Sequence, residues 1–240
     1  MALLITLLLG AFFMLGAVII KIFGDDEIIE HSSVAAALGA LICIAATDII
    51  PDILEDYSGY GYIAALLFCA AGTAALMLLD RFVPDHESGD GGEESTMVHI
   101  GVMSMIAISI HNIVEGMTVY SMASQSPAAG LSLSVGVGLH NIPMGMLIFS
   151  TLRSGSRRKK YFVMGIASLS TFVGGLIMQL ITGLIPHSSL RSLECIALGM
   201  VVYIVVFELL PSVIHDRKWS RTLLWGLIGA AFVAASLFFE

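Results

Sequence analysis

"SIHNIVEGM", residues 109 to 117, places a histidine, an asparagine and a glutamate inside a long apolar segment. An acidic side chain near the middle of a bilayer costs about 2.5–3.5 kcal/mol on insertion scales, so such groups are expected to face a cavity or a partner. The stretch "GLHNIPMGM", residues 138 to 146, repeats the His-Asn pair twenty-nine residues later. These two stretches are therefore the first candidates for a functional site.

The composition around these stretches is that of an integral membrane protein. Of the 240 residues, 57% are hydrophobic and only 12% are charged, whereas about a quarter of a soluble domain is charged. The mean hydropathy is +0.92. The net charge is −8, so the chain lacks the excess of basic residues that is typical of a nucleic-acid-binding protein. Cys43, Cys69 and Cys195 have no metal-binding spacing and are predicted to be buried thiols.

Eight apolar segments are each long enough to cross the roughly 30 Å hydrocarbon layer as a helix, which satisfies its own backbone hydrogen bonds. The first is interpreted as a retained span, because no basic region precedes it. Frequent Gly and Ala favour close helix packing. The sequence thus predicts one all-α transmembrane transporter domain over residues 1–240. The predicted spans are 2–22, 33–54, 60–80, 97–120, 128–152, 161–184, 192–214 and 220–239.

The basic residues between the spans predict the orientation of the bundle. Ten of them fall on one side and only Arg191 falls on the other. By the positive-inside rule, the side with ten is cytoplasmic, so both termini are predicted to lie outside a plasma (inner) membrane. The acidic, Gly-rich loop 82–96 is then cytosolic, either as a solvated linker or as a weak cation-collecting loop. The ten basic residues are Lys21, Arg81, Arg153, Arg157, Arg158, Lys159, Lys160, Arg217, Lys218 and Arg221.

Two proline motifs indicate internal symmetry. "DIIPD", residues 48 to 52, lies in span two, and "ELLPS", residues 208 to 212, lies in the oppositely directed span seven. This placement predicts inverted repeats of spans one to three and six to eight around spans four and five, a 3+2+3 arrangement. Asp48, Asp52 and Glu208 are candidates for acids along a transport path, with an internal polar network or a helix end near water as the alternatives. Gln179 in span six is a further candidate, with a structural hydrogen bond as its alternative.

The fourth-span motif has the ligand spacing of a metal site. His111 and Glu115 are four residues apart, so they share one helix face, and Asn112 lies three residues before Glu115. Together they offer an imidazole nitrogen, an amide oxygen and a carboxylate, a set that suits divalent first-row cations. The alternative is a histidine that only hydrogen-bonds a neighbouring helix.

The fifth span repeats this geometry with His140, Asn141 and Met144. Pro143 has no N–H, so the carbonyl of Leu139 loses its usual helical partner. A free carbonyl at membrane depth is tolerated where it lines a wet cavity or meets a cation. Met144 is interpreted either as a soft metal ligand or as a side chain that fills space.

"HNIVEG" followed by "HNIPMG" resembles the paired signatures of the ZIP (Zrt/Irt-like) family of metal transporters, and "DIIPD" and "ELLPS" resemble that family's second- and seventh-span motifs. The resemblance covers the whole chain. It implies eight spans with both termini outside, and import of zinc and other divalent metals toward the cytosol through a binuclear site between spans four and five. The ligands that it implies by position are His111, Asn112, Glu115, His140 and Asn141.

The chain departs from this family pattern at three positions. Met144 stands where the family usually has a fifth-span glutamate, Met178 and Gln179 stand where many members have a sixth-span glutamate, and Asp48 stands where a histidine is frequent. A neutral thioether is a weak ligand for hard cations, so the second metal position is expected to be weak or absent. We therefore expect a single site. Its predicted core is His111, Glu115 and His140, with or without Asn112 and Asn141.

The predicted function is transport of divalent transition-metal cations by alternating access. Zinc is the first expectation, with iron, manganese and cadmium as further substrates, and no cofactor beyond the cargo metal is expected. The predicted partners are the metal ion and the lipid bilayer, and both a monomer and a homodimer fit the sequence. A transport-impaired metal sensor or regulatory relative is the alternative that Met144 suggests. An intramembrane metal-dependent hydrolase is a second alternative, although the chain has no HExxH motif.

Overall fold

The computed structural model describes residues 1–24, 26–59, 61–82, 92–153, 156–182, 187–215 and 218–238, and the regular structure of these residues is helical throughout. Among the described residues, two of the helices contain a π-helical turn. Helix α2 comprises Glu27–Ile44, the π-helical Ala45–Ile49 and Ile50–Asp56, and α7 comprises His187–Tyr203, the π-helical Ile204–Leu209 and Leu210–His215. The others are α1 (Ala2–Phe23), α3 (Gly61–Asp80), α4 (Gly92–Gln125), α5 (Pro127–Thr151), α6 (Arg157–Ile181) and α8 (Trp219–Ser236).

The helices α1 to α7 are each long and apolar enough to cross a membrane. Large apolar side chains cover the outside of the bundle, as at Leu66 and Leu67, which are 70% and 66% exposed. A lipid environment removes the penalty that water would impose on such a surface. The predicted class, an all-α integral membrane protein, is confirmed. The eighth span, corresponding to α8, stays a prediction.

The two proline motifs adopt the same uncommon helix geometry. In α2 the π-helical turn carries Asp48 and ends two residues before Pro51, and in α7 it carries Glu208 and ends two residues before Pro211. A proline inside a helix lacks the N–H donor and its ring clashes with the carbonyl four residues earlier, so the regular hydrogen-bond ladder is interrupted there. The two motifs therefore occupy matching positions in oppositely directed helices.

Close helix crossings repeat between the two halves of the bundle. Gly116 of α4 lies against the backbone carbonyl of Thr171 in α6, and Gly145 of α5 lies against that of Phe13 in α1. The two crossings use equivalent residues: Gly145 of α5 lies 29 positions after Gly116 of α4, and Thr171 of α6 lies 158 positions after Phe13 of α1. Helices α1–α3 and α6–α8 are thus inverted repeats around α4 and α5. Further crossings related by the same inversion are Gly174–Ile113 with Gly16–Ile142, Gly199–Cys69 with Gly39–Gly226, and Gly72–Ile196 with Gly229–Ala36.

The helix connections divide the molecule into two ends, one of which carries nearly all the basic residues. We call the end with the connections after α1, α3, α5 and α7 the basic end, and the other the opposite end. The predicted acidic loop 82–96 belongs to the basic end, but its residues 83–91 lie outside the described residues. The basic residues described there are Lys21, Arg81, Arg153, Arg157, Arg158, Lys159, Lys160, Lys218 and Arg221.

Candidate metal site

The predicted histidines of α4 and α5 meet at one carboxylate oxygen. Oε1 of Glu115 lies 3.0 Å from Nε2 of His111 and 2.8 Å from Nε2 of His140. His111 and Glu115 approach each other because they are one helical turn apart, whereas His140 reaches them from the neighbouring helix. Ligand atoms around a tetrahedral zinc with bonds of about 2.1 Å lie about 3.4 Å apart. The three groups therefore need only small outward movements to hold such a cation.

These three side chains are shielded from solvent, and their polar atoms are not fully satisfied. The side chain of His140 is 2% exposed and that of Glu115 is 13% exposed. Oε2 of Glu115 and Nδ1 of His140 make no hydrogen bond within the described part of the chain. A buried polar atom without a partner is costly and rare in folded proteins. The site thus has unused ligand capacity at a carboxylate that is already shared by two imidazoles.

The two asparagines of the paired motifs are also buried, each 1% exposed. Nδ2 of Asn112 donates to the carbonyl oxygen of Ala167 in α6 at 3.4 Å, and Oδ1 of Asn112 has no hydrogen-bond partner among the described residues. Both amide atoms of Asn141, Oδ1 and Nδ2, likewise have no hydrogen-bond partner among the described residues. Amide oxygens are ligands for divalent cations. Both asparagines therefore remain candidates for additional ligands beside the histidine-glutamate core.

Apolar side chains close the bundle between this site and the basic end. Met144, one turn beyond His140, is 3% exposed and belongs to the main hydrophobic core. Further along the same direction, Leu147 of α5 and Met103 of α4 are completely buried. A cation in the site is thus separated from the basic end by packed, dry side chains. The position of Met144 in this layer favours the space-filling interpretation of the residue.

A cavity of about 130 Å³ leads from His111 and Glu115 toward the opposite end. Its wall includes Asp48, Asp52 and Glu194, and Asp52 is exposed at the surface of the bundle. A water molecule occupies about 30 Å³ of liquid, so several waters fit. Four of the described lining residues carry carboxylates and none is Lys or Arg. A low-dielectric cleft lined by one sign of charge concentrates counter-ions, here cations.

Two predicted path residues lie away from this cavity. Glu208 is near the basic end, with Oε1 3.7 Å from Nε2 of His99. Gln179 is exposed on α6, two residues before the helix ends. In contrast, Glu194 of α7 lines the cavity and was missed by sequence reasoning. The sequence shows Glu194 only as an acid near the start of an apolar segment. Acids in that position are also typical of helix ends in water, so the sequence did not distinguish Glu194 as a cavity residue.

Comparison with known proteins adds a family match. The model of the family described as ZIP zinc transporter matches residues 83–236. A protein named zinc transporter ZupT from Corynebacterium glutamicum is 31% identical over 225 residues, which cover 85% of each chain. The protein of the same name from Corynebacterium efficiens is 33% identical and covers 85% of this chain and 82% of its own. That from Neisseria meningitidis is 28% identical over 253 residues, covering 97% and 93%.

Proposed function

The chain belongs to the ZIP zinc transporter family, and we propose that it carries divalent transition-metal cations, zinc first, across a membrane toward the cytosol. The observation that supports this most directly is the convergence of His111, Glu115 and His140 at the inner end of an acid-lined cavity. Two imidazoles and one carboxylate form a ligand set that suits zinc, iron, manganese and cadmium. The cation is the substrate of the protein, and its transport needs no further cofactor.

The orientation in this proposal follows from the charges at the two ends of the bundle. The basic end faces the cytosol of a plasma (inner) membrane, and both termini lie outside. A hydrated cation enters from the opposite end, where the carboxylates of Asp52, Asp48 and Glu194 attract it. It then exchanges bound water for the two histidines and Glu115, whose negative charge offsets part of the cost of dehydration.

Release toward the cytosol requires the apolar layer below the site to open. The inverted repeats supply a route, because two halves of opposite direction can exchange conformations and so expose a central site alternately at each end. In the present arrangement the cavity reaches the opposite end, while Met103 and Leu147 are buried on the other side of the site. We propose that the exchanged arrangement separates these side chains and lets the cation leave.

Zinc influx into liposomes that contain the purified protein tests this proposal. Wild-type protein should fill dye-loaded liposomes with zinc, and His140→Ala should lower the initial rate by at least about 10–100-fold, the range found when only the hydrogen-bond partner of a metal ligand is lost. His215→Ala is the matched control, because His215 is exposed at the basic end, and its rate should equal that of wild type. Zinc binding without influx would favour a sensor or regulatory relative. Turnover of a lipid or peptide would favour the hydrolase.

A further inference from the structure

An ion pair joins α2 to α5 at the basic end. Nε of Arg153 lies 3.2 Å from Oε2 of Glu30, and the guanidinium donates a hydrogen bond to the carboxylate. The side chain of Glu30 is 6% exposed and that of Arg153 is 34% exposed. Hydrogen bonds between charged groups are roughly twice as strong as those between neutral groups. The pair is therefore a specific contact between two helices on the basic side of the apolar layer.

Each member of the pair is held by its own helix end. Glu30 lies in the first turn of α2, where the side chain of Asp26 caps the helix by accepting from the N–H of Ile29. Arg153 follows the last turn of α5, and its own N–H donates to the carbonyl oxygen of Ser150. A helix dipole favours an anion near the N-terminus and a cation near the C-terminus. Both charges are therefore favoured on their own helices whether or not the two helices touch.

The inverted repeats relate the closed layer beside this pair to the open cavity. Residues of α7 correspond to those of α2 160 positions earlier, as Gly199 does to Gly39, and residues of α5 correspond to those of α4 29 positions earlier, as Gly145 does to Gly116. By this relation, residues that line the open cavity on α7 and α4 correspond to completely buried residues on α2 and α5. The corresponding pairs are Glu194 with Val34, Ala197 with Ala37, and Thr118 with Leu147.

This correspondence indicates where the basic end opens. The cavity now lies between α7 and α4 at the opposite end, so the exchanged arrangement of the proposed function places a cavity between α2 and α5 at the basic end. Glu30 is one helical turn before Val34, and Arg153 is six residues beyond Leu147 toward the basic end. The two charges thus lie at the mouth of that inner cavity, and its opening separates them.

The opposite end has no equivalent of this ion pair. By the same relation Glu30 corresponds to Leu190 and Arg153 to Ser124, and neither of these residues is charged. Symmetric repeats by themselves would make the two arrangements equal in free energy. An ion pair that exists in only one of them shifts the population toward that arrangement.

We propose that Glu30 and Arg153 form a lock that holds the basic end closed in the metal-free protein, so that the transporter rests with its central site open to the opposite end. The inference rests on the alternating access of the proposed function. The lock breaks and forms again in each transport cycle, because α2 and α5 must separate to let the cation leave. Its two residues set the resting conformation without touching the cation.

Thiol labelling in detergent, without zinc, measures how often the basic end opens. Val34→Cys places a thiol in the closed layer, where position 34 is completely buried, so its labelling rate follows the open population when opening is fast. Glu30→Gln and Arg153→Gln should each raise this rate on the order of 3–10-fold, the effect of losing a charged hydrogen bond with one partly exposed partner. Glu27→Gln is the matched control, because Glu27 is an exposed carboxylate in the same helical turn, and its rate should equal that of Val34→Cys alone.

Two comparisons separate a lock from a general loosening of the bundle. Glu30→Gln combined with Arg153→Gln should raise the rate no more than the stronger single variant, because one ion pair can be lost only once. Unchanged rates in both single variants, or increases that add in the double variant, would overturn the proposal. A parallel rise at Cys195, which is completely buried in α7, would also overturn it, since that result indicates partial unfolding. Labelling is assigned to each cysteine by mass spectrometry.

Zinc influx into liposomes distinguishes failure of the lock from failure of the proposed function. The labelling experiment needs neither metal nor flux. Wild-type influx together with unchanged labelling in the Glu30 and Arg153 variants would refute the lock alone. Absence of wild-type influx together with the expected rise in labelling would refute the proposed function and support the lock.

Discussion

Gly116→Ala tests the helix crossing that holds the metal site in place. A Cβ atom at Gly116 would overlap the carbonyl oxygen of Thr171 and lie 2.8 Å from its carbonyl carbon, although ordinary contacts at a Cβ are 3.4–4 Å. The carbonyl belongs to the backbone of α6 and the added Cβ is fixed to the backbone of α4, so the two helices must move apart by more than about 1 Å to restore that spacing. Overpacking of this kind costs about 1–3 kcal/mol, and alanine returns about 1 kcal/mol of helix propensity.

We therefore expect a net loss of up to about 2 kcal/mol of unfolding free energy relative to wild type, which corresponds to up to about 8 °C in the unfolding midpoint for a domain of this size. Relative to an alanine placed where it meets no neighbour, the expected loss is the full overpacking cost of about 1–3 kcal/mol. The assay is thermal unfolding in detergent, with and without zinc. Zinc should stabilise the variant less than wild type, because Glu115 adjoins the displaced crossing and the α4 ligands move with it.

Two matched variants make this prediction specific. Gly165→Ala changes the same residue type in α6, but no atom lies within 4 Å of the added Cβ, so its midpoint should be unchanged or slightly higher. Gly145→Ala is the equivalent of Gly116→Ala in the other half, because its Cβ would overlap the carbonyl oxygen of Phe13, and it should lose a similar amount. If Gly116→Ala were as stable as Gly165→Ala, the close crossing and the reasoning from the inverted repeats would be wrong.

Two further predictions concern the metal site itself. Glu115→Gln keeps the shape of the side chain but removes the carboxylate that both histidines contact, so zinc affinity measured by titration should fall at least about 100-fold, or about 2.8 kcal/mol. The control Glu55→Gln, at an exposed position, should bind zinc as wild type does, and an unchanged affinity in Glu115→Gln would exclude that oxygen as a ligand. Met144→Glu places a carboxylate at a position that is 3% exposed, so the metal-free protein should lose about 2.5–3.5 kcal/mol of stability. Zinc should then raise its unfolding midpoint by more than it raises that of Met144→Gln, and equal shifts in the two variants would contradict a position near the bound metal.

The local features of this protein were determined by its sequence. Apolar segments of membrane-spanning length must form helices, because lipid offers no hydrogen-bond partners to an open backbone. Residues four apart on a helix share a face, so the contact of His111 with Glu115 follows from their spacing. The proline motifs also mark the two places where the helices α2 and α7 interrupt their regular hydrogen bonding, because proline lacks the N–H that the ladder needs.

Contacts between helices were decided by the tertiary structure alone. Spacing within one helix does not state how that helix is rotated against its neighbours, and the rotation here depends on glycines that meet carbonyl groups far away in the sequence. That packing brings His140 to Glu115, adds Glu194 to the cavity and leaves Gln179 on the surface. Asp48 and Glu208 are acids in similar motifs, yet they lie toward opposite ends of the bundle. The reason is that α2 and α7 are related by the inverted repeat and run in opposite directions, so equivalent residues lie toward opposite ends.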